Sequence, residues 1–130
     1  MKTTFYALFV LLLVAACQTK ENKNETVLAA TDFDSKLKST PDAIVLDVRR
    51  VEELSSGVIE GAINIVYDPA FETKLAGLPK KPIFIYCASG IRSGKAAKIL
   101  REKGYDPVYE LEGGLSTWIE QGMPLQTFQP

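Results

Sequence analysis

Histidine is absent from this 130-residue chain, and cysteine occurs only at Cys17 and Cys87. The first absence excludes any Cys–His pair, so a reactive thiol here must draw its activation from another source. The second limits the chain to a single disulfide at most. No apolar run reaches the roughly 20 residues that a membrane-spanning helix needs. The uncharged stretch from Thr3 to Ala16, mostly apolar from Phe5 onward, is too short for that. An excess of one charge is lacking too: 15 basic against 16 acidic side chains give a formal balance of −1, with no nucleic-acid footprint. There is no internal repeat and no low-complexity segment.

What the chain does contain is a thiol in a telling place. Cys87 follows the short apolar run Ile83-Phe84-Ile85-Tyr86 and precedes a segment of helical character. A run that is continuous, β-branched and aromatic predicts a strand buried on both faces of a parallel sheet. The loop Cys87-Ala88-Ser89-Gly90-Ile91-Arg92-Ser93 then leaves the carboxyl end of that strand, where open α/β sheets bind ligands. Gly90 permits a positive φ, so successive amides can turn toward one point, and the dipole of the following helix adds positive potential there. The geometry calls for an anion: the Cys87 thiolate, its substrate, or both in turn. A thiol with a pKa of about 8.5 is only slightly ionised at neutral pH, and a helix N-terminus with a nearby guanidinium lowers that value. Arg92 is the expected fork for an oxyanion, with donors matched to two oxygens at once.

Strands alternate with helices along the rest of the chain, which predicts a parallel sheet covered on both faces. Strands are expected at 27–29, 43–48, 62–65, 83–86 and 108–111. Helices are expected from a Thr31 or Asp32 cap through about Lys38, over 51–56, 68–76 and 93–103, and over 116–121. Ala96, Ala97, Ile99 and Leu100 form one buried stripe of the helix after the loop. Trp118 and Tyr86 are expected in the core.

The loop resembles the active-site loop of the rhodanese family, the sulfurtransferases, whose pattern is Cys-x-x-Gly-x-Arg-Ser. Three further segments agree in order. Leu46-Asp47-Val48-Arg49 with Glu53 and Gly57-Val58-Ile59-Glu60-Gly61-Ala62-Ile63-Asn64-Ile65 resembles the early motif. Leu111-Glu112-Gly113-Gly114-Leu115 with Trp118 resembles the closing one, and Gly122-Met123-Pro124-Leu125 the usual ending. Where the family commonly carries His, this chain has Val58, which cannot make the hydrogen bonds of an imidazole.

The resemblance implies an α/β, rhodanese-like three-layer domain over residues 27–130, with a parallel sheet of about five strands flanked by helices on both faces. It implies sulfur transfer through a Cys87 persulfide, with Arg92, Ala88, Ser89, Gly90, Ile91 and Ser93 binding substrate. Asp47 is expected to position the site region and Arg49 to pair with Glu53. The donor would be a small sulfur anion or a persulfide, the acceptor a thiol or cyanide, and no metal or cofactor is expected. Phosphatases of this fold place five residues between Cys and Arg; here only Ala88, Ser89, Gly90 and Ile91 intervene, a tighter ring suited to one sulfur atom. The alternative is a weakly catalytic sulfur-relay module for a periplasmic partner. A redox protein is disfavoured, because the mature chain has no resolving Cys.

The amino terminus reads as an export signal over residues 1–16. Leu13-Val14-Ala15-Ala16-Cys17 resembles the bacterial lipobox, in which the Cys is lipidated and becomes the first residue. Residues 17–26 are then lipidated Cys17 and a polar tether with a reach of about 15–18 Å. Two acyl signals anchor stably. The expected location is the cell envelope, at the outer membrane facing the periplasm, since Gln18 and not Asp follows Cys17.

Overall fold

The computed structural model describes residues 25–130; the expected export signal, Cys17 and the expected tether as far as residue 24 lie outside the described residues. Five strands, β1 (Val27–Leu28), β2 (Ile44–Asp47), β3 (Ile63–Asn64), β4 (Ile83–Tyr86) and β5 (Val108–Leu111), make one sheet. Its order is β1-β5-β4-β2-β3, and every pairing is parallel. β4 is central and all four of its residues are buried, as its unbroken apolar run requires.

The period of two along β4 divides the core. Ile83 and Ile85 face one cluster with Leu46, Phe71, Ala96, Ala97 and Leu100, beneath α2 (Phe71–Lys74) and α3 (Ile91–Glu102). Phe84 and Tyr86 face the other with Phe33, Leu115 and Trp118, beneath α1 (Ala30–Ser39) and α4 (Gly114–Glu120). Edge-to-face contacts of Phe33 with Phe84 at 5.3 Å and with Trp118 at 6.2 Å lock that second layer. The result is the three-layer α/β architecture the sequence predicts.

Several boundaries differ for local reasons. α1 begins at Ala30 without a side-chain cap, so neither Thr31 nor Asp32 plays that part; Asp32 lies in the first turn, where its charge suits the dipole. The 51–56 helix is 3-10, closed by a capping box in which Glu53 accepts from the Arg50 amide. α2 is a single turn, because Asp68 folds back to accept from the Ala70 amide. Ile99 is only partly buried beside its stripe. Thr26, expected in the tether, accepts from the Glu110 amide at 2.7 Å and so extends the sheet edge.

Candidate functional site

β4 delivers Cys87 to the carboxyl edge of the sheet at its centre, and α3 starts four residues later. Gly90 is the N-cap of α3 at φ +95°, which brings the helix start forward to Ile91 from the expected Ser93. That turn aims donors at the sulfur. Cys87 Sγ accepts from the Gly90 amide at 3.1 Å, the Ser93 amide at 3.4 Å and the Ser93 hydroxyl at 3.3 Å. Burial pushes the fully buried Cys87 thiol up, but the Ser93 hydroxyl and the amides of Ser93, Ser89 and Gly90 outweigh it and hold it below the ordinary thiol value.

The Ser93 hydroxyl is the strongest of those lowering influences. Ser93→Ala therefore leaves burial less opposed: the midpoint of Cys87 alkylation against pH moves up, and alkylation at neutral pH slows by about tenfold, as loss of a charge-assisted hydrogen bond implies. An unmoved midpoint would remove Ser93 from the cradle.

The loop is also gripped from behind. The Cys87 carbonyl accepts from the Leu115 amide at 2.9 Å, and the Ala88 carbonyl accepts from the amide and hydroxyl of Ser116, both at 3.0 Å. α4 comes this close because Gly114, at φ +61°, carries no side chain; a Cβ there would lie 2.6 Å from the Cys87 carbonyl oxygen and 2.7 Å from the Ser89 nitrogen. Gly114, Leu115 and Ser116 are supporting residues absent from the expected set, and α4 starts two residues earlier than expected. The Gly113-Gly114 pair is the sequence signal that marks this approach. Gly114→Ala is expected to cost about 1–2 kcal/mol in backbone strain alone and to lower Cys87 reactivity by moving the loop; thermal unfolding and alkylation rates check both.

The charged residues pair differently from expectation. Arg92 does not stand free as an oxyanion fork: its Nη1 and Nη2 donate to the two carboxylate oxygens of Glu53 at 2.7 and 2.9 Å. Glu53 therefore salts with Arg92 and not with Arg49, and its carboxyl is held down at about 2, first by Arg92. Arg49 gives Glu53 only a hydrogen bond to its backbone carbonyl, at 3.1 Å. The Arg49 guanidinium instead forks onto Asp47, with Nη2 to Oδ2 at 2.7 Å and Nε to Oδ2 at 3.0 Å, in a nearly dry setting. Asp47 pairs in register with Tyr86, so this buried pair sits on the strand beside the Cys87 loop.

The remaining loop residues divide by exposure. Ser89 and Ile91 side chains point to solvent, so at these positions only the backbone can serve the cradle. Val58 is buried, and its amide and carbonyl both bond to Gln126, at 2.8 and 2.9 Å. The neighbouring Ile59 amide donates to the Tyr86 hydroxyl. Backbone pairing thus orders a turn where the family commonly places His. Asn64, also outside the expected set, ties the turn to the site by donating to the carbonyls of Asp47 and Arg49, both at 2.9 Å.

Residues 29–121 match the rhodanese-like domain model. Among curated proteins the chain is 32% identical over 94 residues to a sulfurtransferase of Allochromatium vinosum, covering 72% of this chain and 87% of that protein. It is 31% identical over 113 residues to the uncharacterized protein YqhL of Bacillus subtilis, covering 87% and 86%. It also matches the tRNA uridine(34) hydroxylase of Acaryochloris marina at 34% over 93 residues, 67% of this chain but only 30% of that protein. A crystal structure of a rhodanese-related protein from Thermoplasma volcanium superposes with a TM-score of 0.65 at 32% identity, over 78% of this chain and 98% of that one.

Proposed function

The chain belongs to the rhodanese-like domain family, and from that membership we propose that it is a sulfurtransferase working through a persulfide on Cys87. The observation that carries the proposal is the set of donors converging on Sγ from the Gly90 amide, the Ser93 amide and the Ser93 hydroxyl. In the first half-reaction the Cys87 thiolate attacks the outer, sulfane sulfur of thiosulfate or of a persulfide. The Sγ–S bond forms, the donor's S–S bond breaks, and sulfite or a thiolate leaves with the electron pair. The loop amides stabilise the terminal sulfur of the enzyme persulfide as an anion. In the second half-reaction a thiol or cyanide takes that sulfur, and Cys87 returns as thiolate. Fixed donors do this without reorganising at the moment of reaction, which is why a preformed cradle favours the step.

Arg92, in the same loop, holds Glu53 with both terminal nitrogens and so braces the loop against the 51–56 turn. The leader over residues 1–16 and the lipobox-like segment ending at Cys17 support an exported domain held at the cell envelope by lipid. Intact mass tests the function directly. The purified protein gains one sulfur atom on treatment with thiosulfate or a persulfide and loses it to cyanide as thiocyanate. A mass unchanged by every donor would end the reading.

A further inference from the structure

The arginines Arg49 and Arg92 beside the Cys87 loop are each matched by a carboxylate. Asp47 takes the buried Arg49, Glu53 takes Arg92 on both of its terminal nitrogens, and Glu52 adds another carboxylate to the same groove. That groove, about 380 Å³, runs alongside the loop from Glu53 to Ile119. The lysines of α3 nearest the loop, Lys95 and Lys98, do not line it. Ile119, which lines it, is 53% exposed and offers it an apolar side chain. With Arg49 held by Asp47 and Arg92 by Glu53, a doubly charged inorganic anion draws little attraction from either guanidinium, while an uncharged organic persulfide loses nothing by their pairing.

We propose that Glu53 is a specificity-determining residue, which by neutralising Arg92 sets the site to take sulfur from an organic persulfide in preference to thiosulfate. The inference rests on the sulfurtransferase reading and names its donor class. In the favoured step, Cys87 thiolate attacks the outer sulfur of RS–SH. The Sγ–S bond forms and the RS–S bond breaks, the proton stays with the transferred sulfur or passes to water, and RS⁻ leaves with the electron pair. With thiosulfate the leaving group is the sulfite dianion, and the charge on the approaching donor is −2 in place of 0. Glu53 is ionised throughout the neutral range, because Arg92 and the Arg50 amide hold its carboxyl far below the usual carboxylate value.

Glu53→Gln isolates the effect. The glutamine oxygen still accepts from the Arg50 amide and from Arg92 Nη1, which share Oε2 of Glu53, so the 3-10 turn keeps its cap, but the carboxylate charge and the bond from Nη2 are lost and the guanidinium charge is no longer neutralised. Loading of Cys87 and steady-state turnover are measured on the purified protein with thiosulfate and with the persulfide of an uncharged thiol, 2-hydroxyethyl persulfide. Wild type has the larger kcat/KM with the persulfide. Glu53→Gln raises the thiosulfate-to-persulfide ratio of kcat/KM by about tenfold, mainly through a lower thiosulfate KM, with the gain shrinking as salt is added. Glu53→Asp, which keeps the charge, keeps the wild-type ratio. The proposal is overturned if the ratio is unmoved in Glu53→Gln, if both donors lose kcat in parallel, or if wild type prefers thiosulfate. Failure of both donors to load Cys87 in wild type removes the sulfurtransferase reading itself, an outcome distinct from loading with an unshifted ratio.

Discussion

Cys87→Ser abolishes sulfur loading: the variant shows no mass gain with any donor, and thiocyanate production falls by at least about a thousandfold, the scale on which nucleophile replacements act. The argument is chemical. The hydroxyl is close to the thiol in size and can accept from the same Gly90 and Ser93 donors, so the loop and the buried core around it are kept. What is lost is the soft, readily ionised nucleophile, since a serine hydroxyl is weak without a base beside it and the chain has no histidine to supply one. Thiocyanate assay and intact mass read the effect, with circular dichroism to establish folding. Retention of loading by a folded Cys87→Ser protein would mean that sulfur is carried elsewhere.

Asp47→Ala is expected to produce the largest loss of stability, about 3–5 kcal/mol, as for removal of one partner from a buried ion pair. Asp47 is fully buried and the Arg49 side chain nearly so. The carboxylate accepts from the Arg49 amide as well as from its Nε and Nη2, so alanine strands a cation and a main-chain donor together. Arg49 would keep only its bonds to Ser56 and to the carbonyls of Glu53 and Gly57. Against a total of about 5–15 kcal/mol for a domain, such a loss leaves little in reserve. Urea unfolding reads it as a lower midpoint at unchanged slope. Replacing both residues with apolar side chains of similar volume restores most of the stability. A change below about 1 kcal/mol for Asp47→Ala would show that Arg49 reaches water when its partner goes.

The strands were the legible part of this fold. β4 falls where its apolar run lies, because a strand buried on both faces leaves no room for a polar residue and its limits are written in composition. The Cys87 loop was legible for a related reason, the coincidence of a strand end, a glycine and a helix start. Charge partners were not. Arg49 and Glu53 stand four residues apart, the spacing that joins side chains on an α-helix. Arg49, however, precedes the 3-10 turn and is drawn inward by Asp47, which leaves Glu53 to meet Arg92, 39 positions away. The support from α4 was hidden likewise, since an amide reaching across the chain leaves no mark in residue identity beyond the glycines that make space for it.

The Ala88 carbonyl and the Ser89 amide belong to one rigid, planar peptide unit, with its oxygen pinned by Ser116 and its hydrogen directed toward Cys87. Tilting the oxygen end must swing the hydrogen end by the same angle. The acidity of the Cys87 thiol can accordingly be retuned from the first turn of the last helix, with the sequence from Cys87 to Ser93 left untouched, while the charge on Arg92 is balanced separately through the turn that holds Glu53. Thiol and guanidinium thus hang on different hinges, and descent or engineering can alter one without disturbing the other.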